Sequence, residues 1–421
     1  MEIKRNLLAQ LKNHLQEPEI TLVIGPRQAG KTTLLKELAS DLKKDKEKIL
    51  FYNLDIDRDA QFFTSQSALI EHIKLMAGPQ KKAYVFIDEV QRLRNAGLFL
   101  KGLYDRGLAC KWVATGSGSL ELKEYLAESL VGRKRNFYLS TVSIQEFIHY
   151  ATAYQFEGKL VDLLEQDEIK AEELLKEYLT FGGYPRVVTS ADFSAKKAAL
   201  TEIFQGYIER DITSLLQLEK SSSFVRLLQL LASRSGKLIN FNDLAKKTEL
   251  SVPTLKKYLW YSEKTFVTTS LSPFFRNKEK EITKAPQYYF YDHGLRNFML
   301  DNWSIEDRPE DFGFLFQQLI YHLLANRYQY SVATIHYWRT QNQAEVDFVV
   351  NLGRTLLPIE VKSGKNEKTS IQRSLRSFIE RYQPEQAWVI TRRLRAELSL
   401  GKTTVLFKPW YDLLKESSSK T

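Results

Sequence analysis

Two groups of residues carry chemistry in this chain. The first is TLVIGPRQAGKTTLLKEL, where Gly25, Gly30, Lys31 and Thr32 fit G-x-x-x-x-G-K-[ST] between an apolar strand and a helical pattern. That spacing suits phosphate binding, because the glycines let the backbone curl until its N–H groups surround the anion. The amides at the start of the following helix add positive potential. Gly25, Pro26, Arg27, Gln28, Ala29, Gly30, Lys31, Thr32 and Thr33 form the expected cradle. Lys31 should reach the β and γ phosphates of ATP, and the Thr32 hydroxyl should ligate Mg²⁺. A tight strand–helix turn is the alternative without chemistry, and the complete motif in this context argues against it. Further on, AYVFIDEVQRL ends an apolar strand with Asp88 and Glu89. Asp88 is expected to hold the metal's water shell, and Glu89 to act as the base that orients the attacking water. Thr115 and Ser117 end the next strand, KWVATGSGSL. They either sense the γ-phosphate or cap the following helix.

The second group is AEVDFVVNLGRTLLPIEVKSGKN, which reads as a hairpin of strand 344–351, a turn near Gly353 and strand 355–363. Glu360 and Lys362 are two apart and share a face, with Ile359 and Val361 on the other. Asp347 on the first strand then meets Glu360 across the hairpin. Two carboxylates hold Mg²⁺ or Mn²⁺ through oxygen, and a lysine beside them can position a hydroxide that attacks a phosphodiester. A cross-strand ion pair is the ordinary alternative.

The elements that must position these groups follow from pattern and length. The chain has 421 residues, too many for one hydrophobic core. Residues 1–150 alternate apolar strands with helical stretches, as in a parallel α/β sheet. Residues 151–235 repeat apolar positions at three- and four-residue steps and read as a helical linker or lid. Residues 236–300 give a helix–turn–helix pattern and the strand-like YYFYD, and 301–415 return to mixed order: helix, three strands, helix, strand. Hydrophobic residues make up 43% and charged residues 27%, which excludes a mainly disordered chain. No apolar run approaches the ~18 residues of a spanning helix. The N-terminal segment has no signal-peptide pattern, and a single cysteine, Cys110, excludes an intrachain disulfide. The expected address is the cytoplasm, with no membrane partner. The balance is basic, 61 Lys+Arg against 51 Asp+Glu, for a net charge of +10. That charge suits a polyanion such as nucleic acid, or reflects lysine-rich solvated faces.

The P-loop, the Asp-Glu strand end, the Thr-Gly-Ser turn at 115–117 and Gly132-Arg133 together resemble AAA-type ATPases. More closely, the chain resembles a bacterial and archaeal family that joins such a module to a C-terminal domain of unknown function. That resemblance covers nearly the whole chain and includes FGGYPRVV (181–188), YIERDI (207–212) and YFYDHGLRN (289–297). In the wider ATPase class that the chain resembles, an arginine often completes the site from a neighbour; Arg133 is the candidate, and such sharing would require a homo-oligomer without revealing one. A surface arginine beside Lys134 and Arg135 is the plain alternative.

The C-terminal group resembles the PD-(D/E)xK nuclease superfamily. The order of helix 313–327, strand 333–339, hairpin, helix 369–383 and strand AWVIT fits that fold. The resemblance makes Asp347, Glu360 and Lys362 catalytic, with Asp347 and Glu360 on the metal. One departure stands out: Gly313 is followed by Gln317 and Gln318 where many such nucleases carry an acidic residue.

Between these lies KLINFNDLAKKTELSVPTLKKYLWYSEKTFVTTSLSPFF, a winged-helix pattern. Asn240 or Asn242 caps one helix, Ser251-Val252 makes the turn, and Pro253 opens the next. Leu255, Tyr258 and Leu259 should be core, leaving Thr254, Lys256 and Lys257 exposed. Residues 237–284 hold ten basic and five acidic side chains. DNA, more than RNA, is the expected partner, and a packing module is the alternative.

The expected whole is therefore an α/β P-loop ATPase module, a helical linker, a winged helix and a PD-(D/E)xK-like domain. ATP and Mg²⁺ are its cofactors. The reading that competes with an ATP-driven nuclease is a nucleotide-switched binding or signalling protein that no longer cuts. His72, His149 and His293 show no metal spacing and read as structural. FGGYPRVV reads as a helix-breaking loop, and Asp292 as part of a strand-end turn. TRRLR (391–395) either tracks a phosphate backbone or ends an exposed strand.

Overall fold

The computed structural model describes residues 1–78, 82–117, 130–207, 221–275, 285–304, 309–364 and 368–415. YIERDI beyond Tyr207, the last three residues of KWVATGSGSL and the tail 416–421 lie outside them. The chain forms two compact units that interleave along the sequence. One comprises Met1–Glu146, Tyr184–Ser221 and Leu259–Val267, and the other comprises the remainder.

The first unit is built on a five-stranded sheet: β1 (Ile20–Gly25), β2 (Lys48–Asn53), β3 (Ala83–Asp88), β4 (Cys110–Ser117) and β5 (Lys134–Tyr138). Every pairing is parallel, in the order β2-β3-β4-β1-β5. All six residues of β1 and of β3 are buried, as expected where helices cover both faces of a parallel sheet. Helix α1 (Leu7–His14) and helix α2 (Lys31–Lys44) send Leu11, Leu34, Leu35 and Leu38 into a core with Val23, Phe86 and Val113. The fifth strand, KRNFY, was not expected. It lies at the sheet's edge with only Phe137 buried, so it shows none of the continuous apolar run of the central strands.

In the second unit, helix α3 (Glu168–Phe181) ends at Gly182. The double glycine there has a specific cause. A Cβ on Gly182 would lie 2.2 Å from Asp292 Oδ1, and the Gly183 N–H donates to Asp292 Oδ2 at 2.8 Å. FGGYPRVV does break the helix, and Asp292 does follow a strand, but the two motifs also grip each other. Helix α4 (Ser221–Ser233) and helix α5 (Phe241–Thr248) come next, and then helix α6 (Val252–Lys264), whose residues up to Tyr258 belong to this unit. The antiparallel pair β6 (Thr268–Leu271) and β7 (Gln287–Phe290) then follows, with Leu238 bridged to Gln287. Asn240 caps α5 by accepting from the N–H groups of Asn242 and Asp243. Asp292 caps helix α7 (His293–Met299).

The C-terminal sheet has six strands: β8 (Thr334–Arg339), β9 (Glu345–Asn351), β10 (Leu356–Val361), β11 (Gln386–Thr391), β12 (Ala396–Leu400) and β13 (Thr403–Pro409). From one edge they are ordered β12-β13-β11-β10-β9-β8. The helices of this region are helix α8 (Pro309–Tyr328) and helix α9 (Arg373–Tyr382). Leu375 and Phe378 of α9 pack on Trp338, Val346, Val389 and Phe407. The expected order of helix, hairpin, helix and strand is present, and β12 and β13 extend it. Their turn residue Gly401 has φ +63°, a conformation glycine adopts without steric cost.

Candidate functional site

The phosphate loop follows β1 directly. Gly25 is fixed by close approach, since a Cβ there would lie 2.0 Å from the Leu139 carbonyl oxygen. Gly30 caps α2 with φ +93°, which only glycine adopts readily. Lys31 is buried, and its Nζ donates to the carbonyls of Gly25 at 3.0 Å and Pro26 at 2.7 Å. The ammonium thus lies folded back inside the loop, and the amides of the α2 N-terminus open beside it.

Arg5 belongs to no sequence motif, yet it braces the loop. Its guanidinium donates to Ala29 O at 2.8 Å and Ser140 O at 2.7 Å, and pairs with Glu146 at 3.2 Å. These partners are 24 to 141 residues away, so no local pattern announces them. Pro185 of FGGYPRVV also approaches the loop, 3.8 Å from where a Gly30 Cβ would stand.

Asp88 ends β3, fully buried, and accepts from the Thr32 hydroxyl at 2.7 Å. The Thr115 hydroxyl donates to its other oxygen and accepts from the Glu89 N–H at 3.1 Å. Glu89 leaves the strand in the left-handed region at φ +58°. Its carboxylate accepts from the Gln91 side-chain amide, and Gln91 Oε1 accepts from the Ser117 N–H at 3.2 Å. In the β1–β4 register Ser117 faces Gly25, so this chain of contacts ends beside the phosphate loop. Thr32, Asp88, Glu89, Thr115 and Ser117 therefore converge on one edge of the sheet.

Arg133 does not join them. It precedes β5, and its carbonyl accepts from Ile20 N at the opposite end of β1 from Gly25. At ~3.3 Å per residue, that is about 16 Å from the loop. Its guanidinium pairs with Asp105 at 2.6 Å. Within one copy of the chain, Arg133 stays out of the site.

In the C-terminal unit, Ile359 faces Phe348 across the hairpin, which puts Glu360 opposite Asp347. Asp347 accepts from the Gln317 amide and from the Val361 N–H, each at 2.7 Å. Glu360 is buried, and among the described residues neither of its carboxylate oxygens has a hydrogen-bond partner. Burial pushes the Asp347 carboxyl up to about 7, with Glu345 adding to the rise. Burial, then the Asp347 charge, pushes Glu360 up to about 7 while Lys362 opposes it. Lys362 itself donates to the Ser370 carbonyl. An orphaned buried carboxylate calls for an explanation, and paired hard oxygens fit Mg²⁺ or Mn²⁺. No group of three or more His, Cys, Asp or Glu placed to hold a metal ion together occurs among the described residues, so water or phosphate would complete the shell of an ion held by this pair.

The basic run TRRLR is accounted for within its own unit. Arg392 pairs with Glu172, Arg393 with Glu168, and Arg395 with Asp412 and Glu165. On α6, Leu255, Tyr258 and Leu259 are buried, Lys256 and Lys257 are exposed, and Thr254 is half-buried. His293 is buried and His322 half-buried, each donates its Nε2–H to a backbone carbonyl, of Leu315 and Phe290 respectively, and desolvation holds both well below the usual imidazole range.

The phosphate loop falls within a segment that matches a known family model. Residues 17–148 match the family described as AAA domain (AAA_14). Residues 172–305 and 312–410 match two domains of unknown function, DUF8612 and DUF4143. An uncharacterized protein of Mycobacterium tuberculosis, Rv2008c, is 27% identical over 89% of this chain and 77% of its own length. An uncharacterized protein of Methanocaldococcus jannaschii, MJ1544, is 25% identical over 86% of this chain and 78% of its own. Among solved structures, the Walker-type ATPase PABY2304 of Pyrococcus abyssi aligns over 71% of this chain and 96% of that one. Its TM-score is 0.46 at 15% identity. By these family matches, the N-terminal part of the chain carries an AAA domain with a P-loop, and two domains of unknown function follow it. No helix among the described residues is long and apolar enough to cross a membrane.

Proposed function

We propose that the chain hydrolyses ATP and uses its nucleotide state to control a C-terminal module that acts on nucleic acid. The observation that carries the first half is the 2.7 Å contact between Thr32 and Asp88 under the phosphate loop. It joins the hydroxyl that suits a magnesium ligand to the carboxylate that suits its water shell. Thr32 and Asp88 would hold Mg²⁺, which supplies neutralisation of the phosphate charge. The loop amides and Lys31 bind the β and γ phosphates. Glu89 orients a water whose oxygen attacks the γ-phosphorus. The bond from that phosphorus to the bridging oxygen breaks, the water's proton passes to Glu89, and ADP and inorganic phosphate leave. Arg133 can act only from a neighbouring copy, so this reading includes a homo-oligomer.

The nucleic-acid half rests on two features. Helices α4 to α6 followed by the β6–β7 pair suit a winged helix, with Lys256 and Lys257 exposed on α6. Glu360 and Asp347 suit a PD-(D/E)xK-like metal site, with Lys362 beside them. Changing Lys256 and Lys257 together to Glu is expected to weaken DNA binding at least tenfold in ~100 mM salt and to flatten its salt dependence by about two phosphate contacts. Fluorescence anisotropy across a salt series measures both. Unchanged affinity would assign α6 to packing.

A second reading has its own observation. Gln317 stands where an acid would help hold metal, and its amide already donates to Asp347. A nucleotide-switched binding protein that does not cut would look the same. Incubating DNA with wild type and Asp347→Ala, with Mn²⁺ and with or without ATP, separates the two. Cutting by wild type alone supports the nuclease. No cutting by protein that turns over ATP supports the binding protein.

A further inference from the structure

The Walker carboxylates account for Thr32, Asp88 and Glu89 but leave Gln91 unexplained. Gln91 lies in the short 3₁₀ turn Val90–Arg92 after β3, half-buried, and its amide is used at both ends. The NH₂ group donates to Glu89 Oε2, and the carbonyl accepts from Ser117 N at 3.2 Å. Glu89 is fixed on its other side, where its own N–H donates to Thr115 at 3.1 Å. Ser117 in turn ends β4 opposite Gly25, and its hydroxyl is enclosed with no hydrogen-bond partner among the described residues. A buried hydroxyl left unpaired beside a phosphate loop is a donor that a ligand oxygen can satisfy.

The geometry points to Gln91 as the positioning residue of ATP hydrolysis: one amide ties the base Glu89 to the strand end that carries Ser117. This rests on the ATPase reading and names a part of that site. The amide's two ends fix two separate objects relative to each other. When a γ-phosphate oxygen accepts from the Ser117 hydroxyl, the end of β4 is set, and Gln91 carries that setting to the Glu89 carboxylate. Glu89 is then oriented for the attacking water only when the third phosphate is present. A side chain that merely filled space at this position would need neither a donor nor an acceptor.

The chemistry of the amide chooses the variants. Gln91→Met keeps the length and volume and loses both hydrogen bonds. Gln91→Glu keeps an acceptor for Ser117 N but offers no donor to Glu89, so it cuts only one of the two ties. Both are expected to lower kcat at least ~10-fold, a fraction of the roughly 10²–10⁴-fold that a well-placed base supplies. The KM for ATP and the affinity for a non-hydrolysable ATP analogue should stay within about twofold, because the phosphate cradle is intact. In a Glu89→Gln background, Gln91→Met should alter the residual rate by less than about twofold, since the group it positions is gone.

The experiment is steady-state ATP hydrolysis, analogue binding and thermal melting on these four proteins and wild type. A kcat loss confined to chemistry and absent in the Glu89→Gln background supports the assignment. An unchanged kcat in Gln91→Met overturns it, as does a loss of melting temperature, affinity and rate together in both Gln91 variants. Wild type that does not turn over ATP overturns the ATPase reading itself, and this assignment with it.

Discussion

Lys31→Met is expected to abolish ATP turnover, lowering kcat/KM by at least ~10²–10³-fold, the scale of removing one preorganised charge-stabilising donor. The reason lies in what the ammonium does before and after nucleotide arrives. In the free protein it satisfies the Gly25 and Pro26 carbonyls at 3.0 and 2.7 Å inside a closed loop. The β and γ phosphates offer stronger, charged acceptors, so the same three donors can turn outward without leaving the loop. Methionine keeps the unbranched stem and removes only the charge and the donors. Two loop carbonyls then lose their partner at a cost of about 1–3 kcal/mol, which a melting curve will show as a modest drop. Turnover and the binding of a fluorescent ATP analogue should fall together, with the protein still folded. If a folded Lys31→Met protein hydrolyses ATP at the wild-type rate, the phosphate-loop reading is wrong, and with it the function proposed for the whole chain.

What the sequence made legible divides along a physical line. The central strands of the first sheet are buried on both faces, so their apolar runs are continuous, and Ile20–Gly25 and Ala83–Asp88 are visible as strings. Lys134–Tyr138 lies at the edge with one buried side chain and reads as surface. Thr32 and Asp88 belong to motifs whose expected roles both lie at one Mg²⁺ ion, and the structure adds the direct hydrogen bond between them. Arg5 belongs to no motif. Its value comes from Ala29, Ser140 and Glu146 being brought around it, and only tertiary structure does that. Arg133 shows the converse: Gly132-Arg133 looked like part of a site, yet strand direction sends it to the far end of the sheet. Parallel pairing of β1 with β5 decides that, and sequence spacing carries no information about strand order.

The same division explains the basic surface. A run such as TRRLR contributes to a net charge of +10 however it is used. In the folded unit, Glu165, Glu168, Glu172 and Asp412 neutralise it locally, so it adds little to any polyanion-binding field. Lys256 and Lys257 keep their exposure on α6, which makes that helix the better place to look for nucleic acid.

Glu360→Gln should stabilise the metal-free protein above neutral pH and destroy its response to divalent cations. The folded Glu360 carboxyl is pushed up to about 7 from an ordinary 4.5, and Asp347 to about 7 from 3.8. Folded pKa values above the unfolded ones mean that the folded state holds more protons between those limits. Their favourable contribution is complete below about pH 4 and is lost as pH rises through about 7. At pH 8 the fold must hold two ionised carboxylates at a site where Glu360 has no hydrogen-bond partner among the described residues. At 1.36 kcal/mol per pKa unit, removing the Glu360 charge returns on the order of 3 kcal/mol. For a unit of this size that is roughly 6–12 °C in melting temperature. Glutamine also gives Asp347 an amide donor across the hairpin. The histidines His293 and His322, held neutral by desolvation, act with the opposite sign, destabilising the fold as pH falls below about 6.5. The variant-minus-wild-type difference cancels them, which is why it is the quantity to plot. That difference should be several degrees at pH 8 and should shrink towards zero near pH 5. Mn²⁺ should raise the wild-type melting temperature by the linkage expected of a ligand that binds only the folded state, and should leave Glu360→Gln unmoved. A pH-independent difference would mean that Glu360 is not held protonated by its surroundings. An equal Mn²⁺ response in both proteins would place the cation elsewhere and leave the hairpin pair as structure alone.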